Sequence, residues 1–157
     1  LIVSDVNQAN IDRAVAELGA TVVDPDAIYD VDCDIYAPCA LGATLNDETI
    51  PRLKCRVIAG AANNQLLDED VHAQQILDRG ILYAPDYVLN AGGIINVSIE
   101  FDEGGYDEER ASKKIDNIHD ALVEIFATAK AQGITTHAAA QQIAEANLKE
   151  GAAAQTA

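Results

Sequence analysis

Positive charge is scarce in this sequence: ten Lys and Arg stand against twenty-six Asp and Glu, a formal net charge of −16. So acidic a chain repels phosphate backbones and anionic lipid headgroups, so neither nucleic acid nor a membrane surface is an expected partner. Long hydrophobic runs are also missing. No stretch approaches the roughly 20 apolar residues that span a bilayer, and the apolar opening Leu1-Ile2-Val3 passes at once into Ser4-Asp5, unlike a signal peptide. Cysteine is limited to Cys33, Cys39 and Cys55, an odd number with no C-x-x-C pair, and reduced thiols in a cytoplasmic protein are the expectation. Cys39 has no histidine near it in sequence to activate it, so it is read as a small cleft-lining or buried thiol rather than a nucleophile. His72, His119 and His137 are widely separated and lack metal-ligand spacing; they are assigned to helix surfaces, and no metal is expected. The five tyrosines are too scattered to form a stacking platform.

What is present is a core. Nearly half of the 157 residues are apolar, enough for one packed domain and incompatible with a disordered chain. Leu1 to Val6 reads as a buried strand. Asn7 is placed to cap a helix whose Ile11, Ala14, Val15 and Leu18 share one face and whose stop is Gly19. Further strands are predicted at 20–24, 33–37, 56–61 and 81–84, with a short helix carrying Ile50 and Leu53 and a full helix over 68–79 between them. Strands alternating with helices imply an α/β fold with a parallel, doubly wound sheet of the Rossmann type. Beyond residue 105 the strands stop. A long helix is predicted over 107–132 with Ala111, Ile115, Ile118, Leu122, Ile125 and Ala129 as its stripe, then a last helix to about Lys149 and a frayed tail over 151–157.

Two places carry chemistry. The stretch Tyr83 to Val97 runs from a strand end through Pro85-Asp86 into Asn90-Ala91-Gly92-Gly93 and an apolar helix, the kind of junction where ligands meet helix N-termini and where glycine permits close approach. A glycine-tolerant helix start is the alternative. At the other end of the chain, Asp5 closes a strand, where an acid can accept both hydroxyls of an adenosine ribose and repel a 2′-phosphate, favouring NAD over NADP. An aspartate that only caps the next helix fits the same position. The Gly-rich phosphate turn, G-x-G-x-x-G, belongs about 20 residues before such an acid. Only four residues precede Asp5. Either the sequence is a fragment whose sheet lacks its first, central strand, or the strands at residues 1–6 and 33–37 pair directly and close the gap.

Several stretches in one order resemble the coenzyme domain of the amino-acid dehydrogenases that act on glutamate, leucine, phenylalanine and valine. They are Asp5 after a strand, Cys33-Asp-Ile-Tyr-Ala-Pro-Cys-Ala-Leu-Gly42, Val57-Ile-Ala-Gly-Ala-Ala-Asn-Asn-Gln-Leu66, Tyr83-Ala-Pro-Asp-Tyr87 and Asn90-Ala-Gly-Gly-Ile-Ile-Asn-Val97. The resemblance covers nearly the whole chain and points to the leucine-type branch. It implies residues 1–105 as a partial NAD-binding domain, 106–150 as helices that complete it and return toward a substrate domain, and 151–157 as a tail. NAD is the implied cofactor. Asp5 would hold the adenosine ribose, Ala37, Pro38, Cys39 and Ala40 would line the coenzyme cleft, and Ala61, Ala62 and Asn63 would meet the nicotinamide side. Asn90 resembles the asparagine that binds the α-carboxylate of the amino acid, while Ile94 and Val97, one turn apart, would help shape the side-chain pocket. Read from the residues alone, Asn63 is equally a turn former, Asn90 a helix cap, and Ile94 and Val97 core.

The family's substrate domain, with its catalytic lysines and aspartate, has no counterpart in these residues, so no catalytic residue is expected in this chain and the fragment alone is expected to be inactive. The implied reaction is reversible oxidative deamination of an amino acid to a 2-oxo acid and ammonia, by a homo-oligomer. Phenylalanine or valine as substrate is the nearest alternative. A non-enzymatic nucleotide-binding module that starts at Leu1 is the alternative from another class.

Overall fold

A computed structural model describes residues 1–155. β1 (Ile2–Val3), α1 (Gln8–Leu18) and β2 (Thr21–Val22) form one strand–helix–strand unit, its two strands paired in parallel. β3 (Ile35–Tyr36), β4 (Val57–Ile58) and β5 (Leu82–Tyr83) make a second parallel sheet in that order, and α2 (Glu69–Asp78) crosses from β4 to β5. α3 (Asp86–Leu89) and α4 (Gly92–Ser98) follow β5, and α5 (Glu108–Gln132) and α6 (Thr136–Gln155) end the described chain. Every strand falls inside an apolar run that predicted it. Flanking hydrogen bonds, such as Ala84 N–H to the Ile58 carbonyl at 2.9 Å, carry the pairing past the two-residue ladders.

Direct pairing of the strands at residues 1–6 and 33–37, which would have closed a single sheet, does not occur. β1 pairs with β2 and not with β3, and the break falls where the predicted sheet lacks its first strand. One consequence is an uncovered helix. The predicted face of α1 has only the β1–β2 ribbon to lie against, so no residue of α1 is buried, and Leu18 is 65% exposed.

The helix ends obey local chemistry. Asn7 caps α1 by accepting from Ala9 N–H, and Gly19 ends it at φ 62°, a left-handed conformation that costs glycine little. Asp68 and Asp107 cap α2 and α5 in the same way, and Gly133 closes α5 at φ 66°. Thr135 Oγ1 accepts from Ala138 N–H at the start of α6. α6 continues through Gly151 to Gln155, where a tail was expected; residues 156 and 157 lie outside the described residues.

The main core lies between the β3–β5 sheet and α2, built by Leu45, Ile50, Leu53, Ile58, Leu66, Ile76 and Tyr83. A second cluster joins α5 to α6 through Ile125, Ala129, Ala139 and Ala140, with Val88 of α3 packed against it. The stripe on α5 is therefore covered by α3, α4 and α6. Two histidines correct the expectation of helix surfaces. His72 is buried because its Nδ1 turns back to accept from Asp68 N–H at 2.8 Å, and His137 is buried with its ring edge-on to Tyr87 and its Nε2 3.6 Å from Glu69 Oε2. His119 stays exposed. Among the described residues no helix is long and apolar enough to cross a membrane, and no cluster of potential metal ligands occurs.

One packing contact sets how near the ends of β3 and β4 come. A Cβ on Gly60 would strike the carbonyl oxygen of Pro38 and stand 2.5 Å from its nitrogen. Backbone atoms cannot yield as the end of a flexible side chain can. Gly60→Ala is therefore expected to destabilise the full-length protein by about 1–3 kcal/mol, read as a lower urea midpoint at unchanged slope.

Candidate functional site

The residues following β3 and β4 are held together by backbone bonds. Ala62 N–H donates to the Pro38 carbonyl at 3.0 Å, and Ala61 N–H donates to Cys39 Sγ at 3.5 Å. Deeper in, the fully buried Gln65 donates its amide to the carbonyls of Gly60 at 2.6 Å and Ala62 at 2.9 Å. Pro38 and Ala62 are buried, whereas Ala37, Cys39, Ala40, Ala61 and Asn63 remain exposed. The two predicted cleft segments are thus adjacent in space. Asn64 takes a left-handed φ of 52°, uncommon outside glycine but well tolerated by asparagine. Its carbonyl accepts from Ala43 N–H at 2.7 Å, tying the loop after β3 to the loop after β4 a second time.

The junction after β5 meets this loop. Tyr83 is buried on the strand, and Asp86, three residues later, begins the one-turn helix α3 with its own side chain buried. Asp86 Oδ1 accepts from the Tyr83 hydroxyl at 3.0 Å, and Oδ2 accepts from Asn64 N–H at 2.6 Å. Burial, and then the neighbouring Asp86, push the Tyr83 phenol well above its ordinary value, so it acts as a donor here. Asn90 ends α3, and its Nδ2 donates to Asn63 Oδ1 at 2.7 Å. Residues on different strand ends, one expected at the coenzyme and one at the substrate, are therefore in direct contact. Gly92 and Gly93 have no positive φ, and a Cβ on either would meet nothing within 4 Å. Nothing in the chain's own packing requires glycine there. On α4, Ile94 is 71% and Val97 46% exposed, so the alternative that they are core does not describe them.

Asp5 stands in the other unit. Its Oδ1 accepts from Asn7 N–H at 2.8 Å and its Oδ2 from the Asn10 side chain at 3.0 Å, bonds that hold its carboxyl below the ordinary aspartate value, the Asn7 bond most of all. The carboxylate is exposed and borders a depression of about 300 Å³ lined by Val3, Ser4, Asn10 and Ile11. Its hydrogen bonds stay within the β1–α1 unit, and none reaches Asn63 or Asn90. A larger apolar groove of about 730 Å³, between α2, β5 and the α5–α6 corner, is bordered by Tyr83 but by none of Asp5, Asn63, Asn90, Ile94 and Val97. Cys55 is buried and Cys33 half-buried; burial pushes both thiols up, the wrong direction for a nucleophile.

In the sequence, Pro85-Asp86 is only a step in the strand-to-helix junction, and Asn64 and Gln65 are only members of the 57–66 motif. A tyrosine three residues before an aspartate at a strand-to-helix turn was the available signal. The partner of that aspartate, a backbone N–H 22 residues away, could not be seen along the chain.

Comparison with known proteins bears on the whole arrangement. The family model described as Glutamate/Leucine/Phenylalanine/Valine dehydrogenase matches residues 3–155. A leucine dehydrogenase of Thermoactinomyces intermedius is 56% identical over 149 residues, covering 95% of this chain and 40% of that protein. An L-tryptophan dehydrogenase of Nostoc punctiforme is 55% identical over 145 residues, covering 92% of this chain and 40% of that protein. The crystal structure of L-tryptophan dehydrogenase from Nostoc punctiforme superposes with a TM-score of 0.91 at 53% identity, over 96% of this chain and 44% of that one. The chain thus spans about 40% of the length of the curated relatives it matches. With a model matching nearly its whole length and relatives more than half identical to it, the chain belongs to the Glutamate/Leucine/Phenylalanine/Valine dehydrogenase family.

Proposed function

We propose that this chain is the coenzyme-binding part of an NAD-dependent dehydrogenase that oxidatively deaminates branched-chain L-amino acids, leucine first among them. Its main support is the Asn63–Asn90 hydrogen bond, which joins a strand-end amide on the coenzyme side to one on the amino-acid side. The amide inventory makes the pair productive. A primary amide has two N–H donors and one carbonyl acceptor. Asn90 uses one N–H on Asn63 and keeps the other for a substrate carboxylate oxygen, reinforced by the dipole of the following α4. Asn63 has its carbonyl oxygen engaged and keeps both N–H groups for a ribose hydroxyl or a carboxamide oxygen. Small exposed residues at 37, 39, 40 and 61 leave room for a flat ring system beside them. Gly92 and Gly93, which nothing in the chain requires, leave the backbone open to close approach from outside.

Asp5 is the ribose acceptor in this reading. Its depressed pKa keeps it a carboxylate, and it retains lone pairs for two hydroxyls while carrying a charge that disfavours a 2′-phosphate. The coenzyme, when bound, supplies the hydride acceptor for oxidation at the substrate Cα, and the reaction ends with a 2-oxo acid and ammonia. Ile94 and Val97 present stiff, β-branched surfaces suited to a branched aliphatic side chain. The strand that would join β1 to β3 into a doubly wound sheet, and the lysine-bearing substrate domain, are assigned to a longer protein of which this chain is a part.

Three results test this. The full-length protein is expected to reduce NAD with a higher kcat/KM for leucine than for phenylalanine or tryptophan, whereas the 157-residue chain alone gives no leucine-dependent NADH. An equal or greater kcat/KM with tryptophan would make the Nostoc enzyme the better guide to substrate. Replacing Asp5→Ser should lower kcat/KM for NAD by about 10- to 100-fold, the worth of hydrogen bonds to a charged group, while that for NADP stays level or rises. An unchanged NAD-to-NADP ratio would sink the ribose assignment.

A further inference from the structure

We infer that Asp86 is a positioning residue whose buried carboxylate sets the distance between Asn63 and Asn90, and so the approach of coenzyme to amino acid. This rests on the function proposed above and goes beyond it, because Asp86 itself is only 8% exposed and both its carboxylate oxygens are taken up within the chain, by Tyr83 and Asn64. Its connections run to both members of the pair. On one side Oδ2 accepts from Asn64 N–H at 2.6 Å, and Asn64 is covalently next to Asn63. On the other side the Asp86 carbonyl accepts from Asn90 N–H at 2.8 Å, so the amide that reaches Asn63 is anchored on the same residue. Tyr83 prevents the carboxylate from swinging away, since its hydroxyl donates to Oδ1 at 3.0 Å from a buried position on β5.

The segment that Asp86 holds is pinned at Asn64, whose left-handed φ of 52° asparagine accommodates. Two groups fix its direction: the Asp86 carboxylate accepts from Asn64 N–H, and Ala43 N–H donates to the Asn64 carbonyl. Removing the carboxylate leaves the N–H without its partner and frees the peptide that carries Asn63. The 2.7 Å contact with Asn90 is then one arrangement among several. Coenzyme bound chiefly through Asp5, in the other unit, would still bind; its nicotinamide end would be aimed less well.

A residue needed only for stability would lower the melting temperature and leave the rate per folded site alone. The test therefore measures kcat in the full-length protein, normalised to folded enzyme, in a double-mutant cycle. Asp86→Ala should lower kcat for leucine by about tenfold or more, the scale of a sub-ångström misplacement, with the KM for NAD changed less than about threefold. The same substitution in an Asn63→Ala background should cost less than about threefold, because the group being positioned is already gone. Asp86→Asn, which keeps one acceptor for Asn64 N–H, should recover most of the rate. If Asp86→Ala does not fold, Tyr83→Phe carries the cycle: it keeps the ring, releases one side of the carboxylate, and should cost about threefold only when Asn63 is present. Losses that multiply independently of Asn63, or an unchanged kcat with a lowered melting temperature, overturn the role of Asp86 while leaving the dehydrogenase reading intact. A wild-type full-length protein without amino-acid-dependent NAD reduction overturns that reading and this role together.

Discussion

Gly60 lacks a side chain where Pro38 occupies the space one would need, and the candidate site is built outward from that contact. Because β3 and β4 can close to this distance, Ala62 N–H reaches the Pro38 carbonyl and Gln65 reaches the carbonyls of Gly60 and Ala62. Those bonds satisfy backbone groups that would otherwise be buried without partners, a cost of about 1–3 kcal/mol each. The loop so formed carries Asn63 and Asn64 to where the β5–α3 turn can meet them. Parallel strands bring their carboxyl ends to one edge, which is why three separate loops converge there.

The two halves of the molecule are unequally supported. The β3–β5 sheet is packed by α2 and, through α3, tied to the α5–α6 cluster; α1 buries none of its residues. Apolar side chains left exposed on the smaller unit include Leu1, Val15, Leu18 and Val22. That apolar surface is left uncovered by this chain, which spans about 40% of the length of the relatives it matches. Asp5 belongs to the loosely covered unit and the asparagine pair to the packed one, so under the proposed function a dinucleotide held at both would bridge them.

Features governed by near neighbours were legible in the sequence. Asn7 caps the helix it was expected to cap, and Gly19 ends it, since capping is settled within four residues. The five strands were found for the same reason, and so was the order of motifs that resembles the dehydrogenases. The buried histidines were not. His72 turns inward to bond Asp68 N–H, and His137 is enclosed by α2 and Tyr87; a polar residue on a helix looks the same in sequence whether or not another element covers it.

By itself, then, the sequence determined the alternation of strand and helix, the starts and stops of α1, α2 and α5 to within a residue, the small residues at the strand ends and the family, because each is written in local pattern or in motif order. Tertiary structure alone decided that the strands form two sheets, that Asn63 touches Asn90, and that Asp86 is buried between Tyr83 and Asn64. The reason is distance along the chain. Asn63 and Asn90 are 27 residues apart, and Asn64 and Asp86 are 22 apart, and no local preference selects such partners until the sheet has brought its strand ends to one edge.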